Sequence, residues 1–116
     1  MSAGRVLALV PDLMDRSKVS AAAGALDGVG PVSFVSSAAG LATRLGEEEP
    51  VALVVLDLAR TGALDTVAAA HGRGARVIGF GSHVEVELLA AARAAGCDQV
   101  LARSAFFARL PEVLTP

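Results

Sequence analysis

The sequence contains few aromatic residues and almost no lysine. Among its 116 residues there are four Phe, no Trp and no Tyr, and Lys18 is the single lysine. The formal net charge is −2, and the arginines are scattered along the chain. Proteins that bind nucleic acid use clustered Lys and Arg that release counterions from phosphates, and single-strand binders add stacking aromatics. We therefore exclude nucleic acid as the expected ligand.

Cysteine is also scarce, and long apolar runs are absent. The single cysteine, Cys97, cannot form an internal disulfide or a thiolate metal cluster, which fits a reducing compartment. No apolar run approaches the roughly 20 residues of a membrane span, and residues 1–10 lack the cleavage site of a signal peptide. The length suits one domain, residues 1–116. We expect a complete, cytoplasmic, soluble protein without membrane association.

Small aliphatic residues make up most of the apolar content, and they occur in an alternating pattern. β-rich apolar runs predict strands at 5–10, 31–35, 51–56, 75–80 and 98–102. Helical spacing and glycine stops predict helices at 13–26, from a Ser37 cap through 45, at 62–71, at 82–95 and from 104 onward. Because the run at 51–56 is apolar throughout, we expect this strand to be buried on both faces.

Particular residues predict how individual helices begin or bend. Ser82 and Glu85 match the capping box, in which the serine hydroxyl and the glutamate satisfy the first free N–H groups of a helix. Ser104 is expected to cap the last helix. Pro111 lies inside that helix, where it removes one hydrogen bond and is expected to cause a bend.

Five strand-helix repeats with short connections predict the fold. Crossovers between such repeats are right-handed and produce a parallel sheet with helices on both faces. We expect a flavodoxin-like (βα)5 three-layer sandwich with strand order 2-1-3-4-5. In this architecture ligands bind at the carboxyl ends of the strands. Asp12, Asp57, Ser82 and Arg103 follow strands 1, 3, 4 and 5 there.

These residues and two longer segments resemble the receiver domain of bacterial two-component response regulators over nearly the whole chain. The segments are LVVLD, which ends at Asp57, and AAARAAGCDQVLAR, which ends at Arg103. The resemblance implies that Asp57 accepts a phosphoryl group and that Asp12 and Asp57 bind Mg²⁺. It also implies that Ser82 and Arg103 contact the phosphate, with Gly81 as an alternative match for the hydroxyl position.

Four positions depart from the receiver pattern. They are Pro11 in place of an acid, Gly81 at the end of strand 4, Val100 in place of an aromatic, and Arg103 in place of lysine. We expect a weak Mg²⁺ site, because Mg²⁺ usually takes carboxylates from more than one position. Arginine suits a two-point grip on a carboxylate, so we hypothesise a standing ion pair between Arg103 and Asp57.

The resemblance and its departures together imply a function. We expect a stand-alone receiver-like signalling module with a degraded phosphorylation site, which acts through protein-protein interaction and is not an enzyme. The alternative is a functional receiver that a histidine kinase phosphorylates on Asp57 in a Mg²⁺-dependent phosphorelay. A third hypothesis is a small-molecule-binding α/β domain that uses the same edge, although no nucleophile with its base is evident.

Phe106 and Phe107 form an apolar cluster with Leu110 in the last helix. Adjacent helical residues diverge by about 100°, so one of the two phenylalanines is expected to face outward. The receiver resemblance implies that helix 4, strand 5 and helix 5 form a dimer surface. We therefore expect Phe106 and Phe107 to be interface candidates for a protein partner or a homodimer, and the alternative is that both rings are absorbed into the core and the loop before it.

Overall fold

The computed structural model describes residues 4–115 as five strands and the helices that connect them. The strands are β1 (Arg5–Leu9), β2 (Val32–Val35), β3 (Val51–Asp57), β4 (Arg76–Gly81) and β5 (Gln99–Ala102). The α-helices are α1 (Leu13–Gly24), α2 (Ala38–Leu45), α3 (Val67–Gly72), α4 (Val86–Ala94), α5 (Arg103–Ala108) and α6 (Leu110–Leu114). A short 3-10 helix, Ala63–Thr66, leads into α3. No helix in the described part of the chain is long and apolar enough to span a membrane.

The five strands form one parallel sheet of order β2-β1-β3-β4-β5. The predicted flavodoxin-like fold and strand order are therefore confirmed. Asp57 pairs with Phe80 at the end of β3, and Gly81 pairs with Ala102 at the ends of β4 and β5. This register brings the carboxyl ends of β3, β4 and β5 to one edge, where Arg103 immediately follows Ala102.

Two apolar clusters lie on opposite faces of the sheet. Val54 and Leu56 belong to the cluster that α2, α3 and α4 cover. Leu53 and Val55 belong to the cluster that α1, α5 and α6 cover. Successive residues of a strand point to opposite faces, so β3 has an apolar partner on both sides. The predicted burial of this strand on both faces is confirmed, and Asp57 comes directly after that buried run.

The predicted capping box at Ser82 and Glu85 is wrong. Helix α4 begins at Val86, and no side chain caps it. Residues 82–85 instead form a turn, in which the Glu85 N–H donates to the Ser82 carbonyl oxygen over 3.0 Å. The Ser82 hydroxyl accepts a long 3.4 Å bond from the Val84 N–H. The serine therefore lies in a loop, outside the helix that it was expected to start.

The last predicted helix is also different. Ser104 lies inside α5, which has no side-chain cap, so the predicted Ser104 cap is wrong. The bend expected at Pro111 is a complete break after Ala108, with Arg109 between α5 and α6. Pro111 falls in the first turn of α6, where the missing N–H would have no helical partner in any case.

Candidate functional site

The candidate site is centred on Asp57, the last residue of β3. Its side chain is almost completely buried, with 6% of the residue exposed. Oδ1 accepts a hydrogen bond from the Ala59 N–H over 3.1 Å, and Oδ2 accepts one from Arg60 Nε over 3.3 Å. Both oxygens of the carboxylate are therefore engaged by the loop that immediately follows it.

That loop is held against the neighbouring strand. The Leu58 N–H donates to the Phe80 carbonyl oxygen over 2.9 Å, which continues the β3–β4 ladder by one bond. The Leu58 side chain is buried directly over Gly79, where an added Cβ would lie 2.7 Å from Leu58 Cδ2. Gly79 therefore permits the close approach of the loop. At Gly81 an added Cβ would have ordinary contacts, the nearest being Leu89 Cδ2 at 3.4 Å.

Asp12, the candidate metal ligand after β1, is the N-cap of α1. Its Oδ1 accepts a hydrogen bond from the Asp15 N–H over 2.9 Å, and the residue is exposed. A carboxylate at this position also interacts favourably with the positive end of the helix dipole. The structure thus gives Asp12 a clear local role in starting the helix.

Asp15 is an important residue that the sequence prediction did not include. It is 2% exposed, and its Oδ1 forms an ion pair with Arg103 Nη2. Its Oδ2 is buried and has no hydrogen-bond partner among residues 4–115. Asp15 precedes the buried Val19 by one helical turn, so its place on the inward stripe of α1 was the signal in the sequence.

The hypothesis of a standing ion pair between Arg103 and Asp57 is wrong. Arg103 forms its ion pair with Asp15, whose hydrogen bond raises the pKa of the guanidinium, with smaller electrostatic contributions from Asp57 and Asp12. The guanidinium lies over the Phe107 ring, 4.9 Å from its centroid. Arg103 therefore extends from the start of α5 toward α1, and Arg60 supplies the cation that contacts Asp57 in its place.

The carboxylates at this edge, where the receiver resemblance implies a weak Mg²⁺ site, are all engaged by protein groups in the described chain. Among residues 4–115, no three His, Cys, Asp or Glu side chains are grouped so that they could hold a metal ion. Asp57 uses both of its oxygens within its loop, Asp12 caps α1, and Asp15 is paired with a cation. A Mg²⁺ ion at this edge would therefore have to compete with these protein partners for its carboxylate ligands.

Of the two interface candidates, Phe106 is fully buried. Its ring stacks on Phe80 with 4.4 Å between centroids, and Phe107 packs edge-on against it at 4.9 Å. Phe106 is thus a core residue and cannot contribute to an interface. Phe107 is half-buried and lies near α1, where Lys18 Nζ is 5.1 Å from its centroid. The less buried phenylalanine of the pair therefore lies beside α1.

Comparison of this structure with solved structures gives a consistent result. A response regulator from Thermotoga maritima superposes with a TM-score of 0.77 at 18% identity, over 96% of this chain and 93% of that one. The receiver domain of a LuxO-like repressor from Vibrio parahaemolyticus gives 0.76 at 16% identity, over 96% and 86%. The phosphorylated cyanobacterial phytochrome response regulator RcpA gives 0.74 at 11% identity, over 97% and 89%.

The chain has the receiver fold. The identities of 11–18% establish the fold alone and leave the function to the residues of the site. Scans against protein-family models and against curated proteins found no match. Within the receiver fold, Asp57 lies at the end of the third strand, and Arg103 follows the fifth.

Proposed function

We propose that this chain is a receiver-fold signalling module that acts through protein-protein interaction and does not depend on phosphorylation of Asp57. The strongest support is that the loop after β3 donates hydrogen bonds to the Asp57 carboxylate. Both carboxylate oxygens accept hydrogen bonds, one of them from the cation of Arg60. The negative charge of Asp57 is thus balanced by Arg60, without a phosphoryl group or a metal ion.

The position of Arg103 supports the same proposal. A phosphate-contacting cation at the end of β5 has to reach the phosphoryl group on the acceptor aspartate. Arg103 is instead paired with the buried Asp15 and packed on Phe107. Moving it to Asp57 would leave the Asp15 carboxylate buried without a counter-charge, which is energetically costly.

A protein partner is supported by exposed apolar side chains at the carboxyl edge. Leu13 and Met14 at the start of α1 are strongly exposed, and so are Val84 and Val86 beside the start of α4. Exposed large apolar residues that are grouped on one side of a protein often mark interaction surfaces. We propose a histidine kinase or another signalling protein as the partner, or a second copy of this chain in a homodimer.

The same edge gives no support for catalysis, so we propose that the chain is not an enzyme. In the described chain, the Ser82 hydroxyl makes one long hydrogen bond, which it accepts from the Val84 N–H, and no base is hydrogen-bonded to it. A nucleophile needs an adjacent base for activation. We also propose a cytoplasmic location, which the single free cysteine, Cys97, supports.

The competing function is a phosphorylated receiver with Asp57 as the acceptor. One observation favours it: the Arg60 side chain is 47% exposed, so the ion pair between Arg60 and Asp57 is weak. Exposed ion pairs contribute roughly 0–1 kcal/mol, which a strong competitor could overcome. In this function Arg60 would have to leave Asp57 before phosphoryl transfer.

One experiment separates the two functions. The protein is incubated with Mg²⁺ and acetyl phosphate, and separately with beryllofluoride, while intact mass and amide chemical shifts are recorded. We expect no adduct and no shift change around Asp57. A phospho-adduct that disappears in Asp57→Asn would overturn the proposal and establish the phosphorylated receiver. Sedimentation velocity over a concentration series tests the homodimer, because a species that stays monomeric throughout excludes it.

A further inference from the structure

A pocket of about 340 Å³ opens beside Arg103, on the side of the fold that α1 and α5 cover. Its lining comes from α1, from the β4–α4 loop and from α5. The lining residues are Lys18, Ser82, His83, Arg103, Ser104 and Phe107. Asp57 is not among them, although Ser82 and Arg103, the two candidate phosphate contacts, are.

The polar groups of this pocket are mainly hydrogen-bond donors, and several have no partner among residues 4–115. Lys18 forms no ion pair within residues 4–115, although it is the single lysine of the chain. Arg103 uses only Nη2 for Asp15, which leaves its other N–H groups free in the described structure. Ser82 and Ser104 add two hydroxyls. No Asp or Glu of the described chain lines the pocket, so its chemistry favours an anion.

Phe107 gives the pocket an apolar wall and positions both cations. Lys18 Nζ lies 5.1 Å from the centroid of the ring, and Arg103 Cζ lies 4.9 Å from it. Both distances are within the range of cation–π interaction. The two positive groups are therefore held near one aromatic surface, where a flat apolar group could pack while its charge meets the cations.

Acids near the pocket determine which cation is more important for binding. The hydrogen bond to Asp15, with smaller electrostatic contributions from Asp57 and Asp12, raises the pKa of Arg103. These acids also offset part of its positive charge, and Asp15 is in direct contact with it. Lys18 has no such partner in the described chain, so an incoming anion gains most from the ammonium group.

We propose that this pocket binds a small organic anion, in which a phosphonate, phosphate or carboxylate group is attached to a flat apolar group. The anionic group would meet Lys18, Arg103 and the serine hydroxyls, and the apolar group would pack on Phe107. A volume of about 340 Å³ lies at the lower end of ligand sites, which span roughly 300–1,000 Å³. This binding activity is additional to the interaction role, and it requires no phosphorylation of Asp57.

The test uses phenylphosphonate, whose carbon–phosphorus bond prevents phosphoryl transfer to Asp57. Binding is measured on the full chain by amide chemical shifts and by calorimetry, at low ionic strength and without Mg²⁺. We expect saturable binding with shifts at residues 82–83 and 103–107. Lys18→Gln should weaken it about tenfold, since a charge-assisted hydrogen bond is lost. Arg93→Gln, which changes an exposed cation on α4, should leave it unaltered.

Two further probes, each of which lacks one feature of phenylphosphonate, complete the test. Benzyl alcohol lacks the charge, and inorganic phosphate lacks the ring, so both should bind more weakly than phenylphosphonate. The proposal is overturned if phenylphosphonate does not bind at millimolar concentration, or if Lys18→Gln and Arg93→Gln bind it equally well. It is also overturned if either simpler probe binds as tightly. Because Lys18 is exposed and unpaired in the described chain, Lys18→Gln is expected to fold normally.

Discussion

Arg60 donates a hydrogen bond to Asp57, with 3.3 Å between Nε and Oδ2. The Arg60 N–H also donates to the Asp57 carbonyl oxygen over 3.1 Å, so side chain and backbone close the same turn. Asp57 thus receives its counter-charge from a residue only three positions away. The arginine that follows β5 has a different carboxylate partner.

Replacing Arg60 by glutamine should remove the cation paired with Asp57 and destabilise the fold only slightly. The arginine is half exposed, so we expect the free energy of unfolding to fall by less than about 1 kcal/mol. Because the cation no longer competes, Mg²⁺ should shift the Asp57 and Ala59 amide resonances more strongly than in the unaltered protein. Urea unfolding and Mg²⁺ titration followed by NMR measure the two effects. Identical Mg²⁺ titrations of the variant and the unaltered protein would contradict the proposal that Arg60 competes with Mg²⁺ for Asp57.

Replacing Arg103 by glutamine should lower the free energy of unfolding more than the change at Arg60 does. The Asp15 carboxylate would then be buried without a counter-charge. Breaking a buried pair typically costs 3–5 kcal/mol, and since Arg103 is half exposed we expect about 2 kcal/mol. The double variant Asp15→Asn with Arg103→Gln should recover part of this loss. Urea unfolding of both single variants and the double variant gives the coupling energy. Additive losses would show that the two side chains do not interact.

Two glycines of β4 provide a matched pair for testing the position of the loop. Gly79→Ala should lower the free energy of unfolding by about 1–3 kcal/mol, because the new methyl overlaps the buried Leu58 side chain. Gly81→Ala should change it by less than about 1 kcal/mol, since its added Cβ meets only ordinary contacts. Thermal or urea unfolding compares the two variants. Equal losses at both positions would contradict the packing of Leu58 over Gly79.

Asp98 makes the stability of the fold depend on pH in the acidic range. Its Oδ2 accepts a 2.7 Å hydrogen bond from the Val77 N–H and lies 2.9 Å from His71 Nε2. The bond with His71, followed by the bond from Val77, lowers the pKa of Asp98 below its ordinary value of 3.8. A lowered pKa in the folded state means that the unfolded chain takes up the proton first. The stability from Asp98 is therefore complete above pH 3.8 and is lost as the pH falls through the lowered value.

Asp98→Asn tests this dependence. We expect the variant to lose less stability than the unaltered protein when the pH is lowered from neutral through the acidic range. Melting temperatures measured by circular dichroism over that range provide the comparison. Glu87→Gln, which changes an exposed acid on α4, serves as the control and should keep the original pH dependence. A pH profile of Asp98→Asn that matches this control would refute the role of Asp98.

Much of the fold is predictable from the sequence because its signals are local. The apolar run of β3 predicted a strand buried on both faces, and the strand-helix alternation predicted the sheet order. Both predictions are confirmed. The turn at Ser82 was mispredicted, since a capping box specifies hydrogen bonds that a short loop can satisfy in other ways.

The sequence by itself determined that an acid, Asp57, follows the most buried strand and that a cation, Arg103, follows the fifth. Only the tertiary structure decided which charges meet. Arg103 pairs with Asp15 across 88 positions of the chain because α1 and α5 cover the same face of the sheet. The direction of a long side chain depends on such through-space neighbours, and no periodicity along the chain encodes them. For the same reason, the donor-rich pocket around Lys18 and Phe107 emerges only once the chain is folded.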